Sequence, residues 1–181
     1  MKTILEFLKS NNIFEYKYTP KTRLELESCI KEICLKEGPK ANLNVIDTGN
    51  IARFDYLFSG NESYYKKLGL AEPFNGDISK WNMSKAKTLS NMFADNTKFN
   101  NDISKWNVSN VVSMRNMFLG SCFNNDISKW NVNKVDDFAS MFEKSKFDQD
   151  ISSWNVQESA NTRNMFKDCA IQNGKNLPSW I

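Results

Sequence analysis

The residue types that usually carry catalysis are sparse in this chain of 181 residues. Histidine, the commonest general base and the commonest metal ligand, is absent from the sequence. None of the four cysteines forms a Cys-x-x-Cys pair of the kind that binds zinc. Hydrolase and P-loop motifs are missing too, and Glu25, Glu27 and Glu32 have no evident partner for acid–base work. The sequence therefore predicts no catalytic residue, no cofactor and no metal ion.

Four aspartates that recur at regular spacing raise calcium binding as an alternative. They are Asp77, Asp102, Asp126 and Asp150. Calcium-binding repeats use glycine-rich turns with several oxygen ligands per ion. Here each turn offers one aspartate, and glycine occurs in such a turn only at Gly76. We interpret the aspartates as turn residues rather than calcium ligands.

Two further sets of polar residues could bind a partner, because stacked repeats would place equivalent positions in columns. The basic column is Lys80, Lys105 and Lys129, with Ser153 in the last repeat. The amide column is Asn82, Asn107, Asn131 and Asn155, whose side chains could bond from repeat to repeat. We interpret these columns as a candidate face for an anion or a polypeptide. The alternative is a solvated polar face, partly neutralised by the aspartates.

A third candidate is an insertion of about ten residues between Phe58 and Phe74, where the repeat is interrupted. Its candidate contact residues are Tyr64, Tyr65, Lys66 and Lys67. Loops on rigid scaffolds often carry binding, and tyrosine is a frequent anchor at interfaces. The alternative is a tolerated surface insertion.

The elements that position these residues come from a repeated motif that reads FNNDISKWNV in two of its four copies. The copies begin at Phe74, Phe99, Phe123 and Phe147. The tryptophans occupy positions 81, 106, 130, 154 and 180. Self-similarity at such a period predicts units that stack on their neighbours.

Within one unit, Trp106 and Val108 lie two apart and would share one face of a strand. An apolar pattern typical of about two helical turns follows it, at Val111, Met114, Met117 and Phe118. The expected fold class is an α/β repeat, a leucine-rich-repeat-like solenoid with parallel strands on one face and short helices on the other. The strands are expected at 79–83, 104–108, 128–132 and 152–156.

The tryptophans have two interpretations, an aromatic ligand cage and a buried core. We favour the core, because a large ring at every inward position buries much apolar area. The methionines that precede phenylalanine are interpreted in the same way, at Met92, Met117, Met141 and Met165.

The chain divides into four parts on this interpretation. Residues 1–41 form an N-terminal helical cap, with Ile4, Leu5 and Leu8 on one helical face. A second helix follows there, from a capping box at Thr22–Glu25 to a stop at Gly38. Residues 42–73 form a degenerate first repeat with the insertion, and 74–170 hold four repeats of 24–25 residues. Residues 171–181 form a C-terminal capping half-repeat, where Pro178 suits an edge because it lacks an N–H donor.

The unit F-N-x-D-I-S-x-W-N-V-x-x-V-x-x-M-x-x-M-F resembles the repeat of BspA-like leucine-rich repeat surface proteins. Similar repeats occur in mycoplasma-type lipoproteins as a domain of unknown function. The resemblance covers Asn42 to Ala170 and implies a scaffold for adhesion or protein recognition. It brings no catalytic residues.

Composition sets bounds on the partner and on the compartment. The net charge is +3, with 24 basic and 21 acidic residues interleaved, so no basic stripe favours nucleic acid. No segment predicts membrane insertion, and no secretory signal opens the chain. The missing signal favours the cytoplasm, whereas the resemblance favours the cell surface with a leader removed. We expect an unidentified protein partner, and the sequence leaves the oligomeric state open.

The cysteines are expected to be buried free thiols, since their spacing disfavours disulfide bonds. They are Cys29, Cys34, Cys122 and Cys169.

Overall fold

The structure is a computed structural model that describes residues 16–173 and 176–181. Its helices are α1 (Arg23–Glu37), α2 (Glu62–Lys67) and two short 3-10 segments, Gly38–Lys40 and Ala170–Asn173. The repeats between them consist of turns and single bridges. The helical face expected at Ile4, Leu5 and Leu8 lies outside the described residues.

Helix α1 begins and ends where the capping signals predict. The Thr22 hydroxyl accepts the N–H of Glu25 at 3.2 Å, and the Glu25 carboxylate accepts the N–H of Lys21 at 2.7 Å. These bonds satisfy amide groups that a helix start leaves unpaired. Gly38 ends the helix with φ 75°, a left-handed conformation that glycine adopts without steric cost.

The expected fold class, an α/β solenoid of parallel strands and short helices, is wrong. The described part of the chain contains no β-strand, and both α-helices lie before the four regular repeats. Parallel pairing exists as isolated bridges, and four of them fall in the segments expected to be helical. These four are Arg53↔Thr88, Thr88↔Ser113, Ser113↔Asp137 and Asp137↔Asn161.

Local hydrogen bonds explain why 104–108 does not form a strand. The Asp102 carboxylate accepts the N–H of Ser104 at 2.9 Å, and Trp106 donates its own N–H to the carbonyl of Ile103 at 3.1 Å. These bonds close a tight turn and compete with strand pairing for the same backbone groups. The other units repeat the arrangement, at Asp77, Asp126 and Asp150.

A different backbone pattern replaces the expected short helices. In the stretch of each unit that was expected to be helical, every second backbone amide donates to a carbonyl of the next unit. Phe93, for example, donates to the carbonyl of Met117 at 2.9 Å. The intervening amides close turns within their own unit, as Met92 does onto Leu89 at 3.1 Å. An α-helix would need both sets of amides for its own i−4 carbonyls. We call this set of inter-unit bonds the ladder.

Left-handed residues set the geometry of the ladder. Two of them occur in each regular unit, four residues apart. The pairs are Asn91 and Asp95, Asn116 and Gly120, Ser140 and Lys144, and Asn164 and Asp168. A right-handed helix cannot continue through such residues, and asparagine and aspartate tolerate the left-handed conformation better than most residue types.

Aromatic rings fill the interior in stacked columns. Phe93 and Phe118 lie 5.6 Å apart at an interplanar angle of 3°, and Phe118 continues to Phe142 at 5.7 Å. A second column starts with Phe74 and Phe99, 6.4 Å apart. Phe99 also packs on Phe93 at 4.1 Å, so the two columns interlock.

The tryptophans belong to this core, as expected. Trp106 and Trp130 are 3% and 4% exposed, and their rings stack at 6.4 Å. The Trp106 indole Nε1–H donates to the carbonyl of Ile78 in the preceding unit at 3.0 Å. The same bond recurs from Trp81, Trp130 and Trp154. A ligand cage at these rings is therefore wrong, because no ring face is open to solvent.

Replacement of Trp106 should separate the two contributions of the indole. Trp106→Ala should lower the free energy of unfolding by about 3–5 kcal/mol, because it empties a large buried volume. Trp106→Phe keeps most of the apolar area but removes the indole donor from the Ile78 carbonyl, which keeps only the Trp81 N–H at 3.1 Å. We therefore expect a smaller loss of about 1–3 kcal/mol. Urea denaturation measures both losses. If Trp106→Ala had the same unfolding free energy as the wild type, the inward position of the ring would be wrong.

Candidate binding surfaces

The basic column lies on the outside of the tight turns, as the sequence predicts. Lys80, Lys105 and Lys129 are exposed beside their buried tryptophans, and we call these three residues the lysine face. Lys80 and Lys105 line a shallow cavity of about 140 Å³ together with Ser79 and Asp102. The stack thus brings together cations that are 25 residues apart in the sequence.

Each lysine stands close to an ionised carboxylate of a turn. Hydrogen bonds from the hydroxyl and the N–H of Ser104 hold the pKa of Asp102 below its usual range, and the charge of Lys105 adds to this effect. The N–H and hydroxyl of Ser128 lower the pKa of Asp126 in the same way. The surface around the lysine face therefore carries both signs of charge rather than a purely cationic stripe.

The predicted asparagine column is exposed in every unit, but its side-chain hydrogen bonds to described residues stay within the unit. The side-chain oxygen of Asn107 accepts the N–H of Ser109 at 3.2 Å, and Asn82 and Asn131 cap equivalent turns. Asparagines at other positions bond between units, including two near the start of the motif. Asn101 donates to the carbonyl of Asn75 at 3.1 Å, and Asn125 donates to the carbonyl of Asn100 at 2.7 Å.

The insertion loop, residues 60–70, carries α2 and packs against α1. Asn61 caps α2 by accepting the N–H of Ser63 at 3.0 Å. Lys67 bonds to Glu27 of α1 at 2.6 Å, and Lys66 bonds to Glu62 at 2.5 Å. Burial raises the pKa of Glu27, but hydrogen bonds from Lys67 and Arg23 outweigh burial and lower it overall. Both lysines of the loop are therefore paired within the chain.

Buried Asn96 joins the two ends of the insertion. Its side-chain NH2 donates to the carbonyls of Phe58 and Phe74 at 2.9 and 3.0 Å. Its oxygen accepts the N–H groups of Lys98 and Phe99. Later units place Ser121, Ser145 and Cys169 at this position. An asparagine here satisfies the backbone groups that the interruption of the repeat leaves open.

The two predicted tyrosine contacts have different environments. Tyr65 is partly buried and packs against the hydrophobic core. Tyr64 stacks on Tyr56 with ring centroids 4.9 Å apart at an angle of 9°. Sequence reasoning missed Tyr56, which is 40% exposed and has φ 58°. Its signal was a large aromatic where the other units carry asparagine or serine, at Asn91, Asn116, Ser140 and Asn164.

All four cysteines are free thiols, as expected. Cys34 and Cys169 are buried, whereas Cys29 and Cys122 are only partly buried. Burial raises the pKa of Cys34 to about 12, which keeps this thiol protonated and unreactive.

The described residues contain no group of three or more His, Cys, Asp or Glu side chains that could hold a metal ion. Within residues 16–173 and 176–181, no helix has the length and apolarity needed to cross a membrane.

The repeats match a family model described as "Mycoplasma protein of unknown function, DUF285". The matches cover residues 35–121 and 63–180, which together include most of the chain. The chain belongs to this family. The mycoplasma-type repeat domain expected from the sequence is therefore confirmed at the level of the DUF285 family, whereas the leucine-rich-repeat architecture is not. No curated protein matches the chain, and no solved structure does.

The aspartate turns should make the DUF285 chain sensitive to acid. Hydrogen bonding to the charged form lowers the folded-state pKa of Asp102 and Asp126. This stabilisation is therefore present above the unfolded pKa of about 3.9 and is lost as pH falls through the lower folded value. Asp102→Asn and Asp126→Asn keep a side-chain oxygen for the turn but do not titrate. Between about pH 5 and pH 2, we expect the melting temperature of the double variant to fall less than that of the wild type. Parallel slopes of melting temperature against pH would contradict this role.

Asn96 offers a test of the insertion junction. Asn96→Ala should cost at least about 2 kcal/mol in unfolding free energy, because it leaves buried carbonyl and amide groups unpaired. The matched control is Asn107→Ala, which removes an exposed turn contact and should cost less than about 1 kcal/mol. Chemical denaturation measures both. Equal losses would show that the buried amide does not hold the junction.

Proposed function

We propose that the protein is a non-enzymatic scaffold that recognises another macromolecule, and that this macromolecule is a protein. The observation that carries the proposal is the lysine face, where identical exposed side chains repeat in register on a backbone locked by the ladder. A surface that is already held in one geometry loses little conformational entropy on binding. Such regularity suits a partner that is extended over several units.

The charges on this surface favour a polypeptide over a nucleic acid. Asp102 lines the same cavity as Lys80 and Lys105, so an approaching phosphate would meet a carboxylate as well as cations. Lys66 and Lys67, which would serve an anion-binding loop, are paired with Glu62 and Glu27. A protein surface can offer both signs of charge, whereas a phosphate backbone offers one. The alternative function is an anion or nucleic-acid binder that uses the lysine face and the insertion loop.

The motif's resemblance to the repeat of BspA-like surface proteins supports an adhesion-type role. It is support at the level of motif alone, since the leucine-rich-repeat fold does not carry over to this chain. The family match itself assigns no activity.

The Tyr56–Tyr64 pair is the best candidate for an aromatic anchor. A left-handed tyrosine costs about 1–2 kcal/mol relative to ordinary backbone geometry. Retained strain at an exposed residue motivates a functional hypothesis, because folding alone would favour asparagine there. Stacking on Tyr64 holds the exposed ring in place.

Tyr56→Asn should separate binding from folding. It restores the residue type of Asn91 and Asn116, so we expect the melting temperature to stay level or rise. Affinity for the partner should fall by at least about 2 kcal/mol, the scale of an anchor residue. The partner is first isolated from parallel lysates of the source organism, one with and one without nuclease treatment. Titration calorimetry then compares wild type, Tyr56→Asn and Tyr64→Ser. Unchanged affinity in both variants would remove the tyrosine pair from the interface.

A matched variant, with Lys80, Lys105 and Lys129 all replaced by serine, tests the alternative. Serine already occupies this position at Ser153, so folding should be unaffected. For a protein partner we expect mainly a slower association and a weaker salt dependence. Complete loss of binding, together with a steep salt dependence of the wild type and nuclease sensitivity, would favour the nucleic-acid alternative. If neither variant weakens the complex, neither surface recognises the partner.

A further inference from the structure

The first regular unit joins the segment after α1 through backbone hydrogen bonds on either side of Gly76. Asn75 donates its N–H to the carbonyl of Pro39 at 2.7 Å, and Asp77 donates its N–H to the carbonyl of Ala41 at 3.1 Å. A Cβ atom on residue 76 would lie 2.0 Å from the Ala41 carbonyl oxygen, so this close approach requires glycine. The packing of the junction therefore places a glycine directly after an asparagine.

The side chain of Asn75 is held less firmly than its counterparts in later units. In those units the amide oxygen accepts a backbone N–H of the following unit at 2.8 Å, and we call this bond the clamp. Asn100 accepts it from Asn124, and Asn124 accepts it from Asp148. Among the described residues, only the side-chain NH2 of Asn101 donates to the Asn75 oxygen, at 3.2 Å. The side-chain amide of Asn75 therefore lacks the clamp.

The backbone nitrogen of Gly76 follows this amide in the chain and is not engaged. Gly76 is buried, yet none of the described residues accepts its N–H. Buried backbone N–H groups nearly always have a partner, so an unpaired one needs an explanation. Within the described structure, no hydrogen bond holds this nitrogen away from the Asn75 side chain. Glycine also adds no Cβ atom that would obstruct their approach.

We propose that Asn75–Gly76 is a site of spontaneous modification, at which Asn75 is converted to isoaspartate and aspartate. The Gly76 nitrogen attacks the side-chain carbonyl carbon of Asn75 and loses its proton. The side-chain nitrogen takes up a proton and leaves as ammonia, which closes a succinimide ring. Water then opens the ring at either carbonyl, so each conversion consumes a water molecule and releases an ammonia molecule. The attack is intramolecular, which removes the entropic cost of bringing the two groups together.

The isoaspartate product changes the junction itself. Isoaspartate routes the main chain through the side-chain carbons and lengthens it by about 1.5 Å. The two bonds to Pro39 and Ala41 cannot then keep their present spacing. The N–H of Leu43 donates to the carbonyl of Asp77 at 2.9 Å in the same junction. Modification therefore loosens the contact between α1 and the repeats, and this effect does not depend on the lysine face or on the tyrosine pair.

Peptide mapping by mass spectrometry of the full chain, aged in neutral buffer, provides the first measurement. We expect Asn75 to convert at least about tenfold faster than Asn100 and Asn124, a difference of about 1.4 kcal/mol in activation free energy. Isoaspartate must be among the products, because direct hydrolysis of the side chain gives aspartate alone. The second Asn-Gly pair of the sequence, Asn173–Gly174, is scored separately. Equal rates at the three asparagines, or aspartate as the sole product, would overturn the proposal.

A variant of a later unit separates the effect of the clamp from that of the dipeptide. Asn125→Gly places a glycine after Asn124, whose oxygen keeps its bond from the N–H of Asp148. Asn125 is replaced with the loss of one side-chain bond to the carbonyl of Asn100, so folding should be retained. We expect Asn124 in this variant to convert several-fold more slowly than Asn75 in the same molecule. Equal conversion would show that the clamp has no influence and would overturn the structural basis of the proposal.

Hydrogen exchange tests the effect on the junction. Ion exchange separates modified from unmodified molecules, because conversion adds a negative charge. In the modified fraction, the amides of Leu43 and Asp77 should exchange at least about tenfold faster than in fresh protein. The amide of Phe118, which donates to Met141 within the ladder, should keep its protection. Unchanged exchange at Leu43 and Asp77 would show that the junction tolerates the modification and would overturn this effect.

Asn75→Ser is the matched control. Serine has no side-chain amide, and the NH2 of Asn101 keeps its bonds to the carbonyls of residue 75 and Gly76 at 3.1 and 3.0 Å. We therefore expect the variant to fold and to show no faster exchange at Leu43 and Asp77 after the same ageing. A junction that loosens equally in this variant would show that ageing acts elsewhere in the chain, which would also overturn the proposal.

Discussion

The hydrogen bond from each tryptophan indole to a carbonyl of the preceding unit is the contact on which the stack depends. The Trp106 donor and the Ile78 acceptor are both buried, so neither group can turn to water if the units slide. A lost bond would leave an unpaired polar group beside stacked rings, which is costly in a medium of low polarity. This single geometry fixes the register of neighbouring units. The outward lysines follow from it, because Lys105 precedes Trp106 directly in the chain.

Polar side chains of the repeat serve mainly to satisfy the backbone. The described regular units contain neither an α-helix nor a strand. Their backbone groups are paired instead by aspartate and asparagine turns, the ladder and the Asn96 junction. The two surfaces considered for binding differ in origin. The lysine face follows from the tight turns, which expose one lysine in each of three units. Tyr56 departs from the pattern of its own repeat, and the stack does not require an aromatic ring there.

The ends of a stacked repeat pose a problem that the interior does not. Interior units satisfy one another, but a terminal unit leaves backbone groups and apolar surface without a partner. Helix α1 covers part of one end, because Arg23 donates to the carbonyls of Arg53 and Asp55. The Glu27–Lys67 pair holds α2 beside it. At the other end, the tail packs Trp180 against Phe166 of the last unit. The two ends of the stack are therefore covered by different elements.

The sequence alone determined the period, the core and α1. Rings that recur every 24–25 residues must share one interior. The capping signals at Thr22 and Gly38 act only on the nearby residues at the two ends of α1. The conformation of each unit was decided only by the tertiary structure. Apolar spacing such as that of Met114, Met117 and Phe118 suits a helical turn and also suits the ladder. The choice depends on whether an amide finds its acceptor four residues away or in the next unit. That acceptor exists only after the units have stacked, which is why the local pattern predicted helices and strands that the chain does not form.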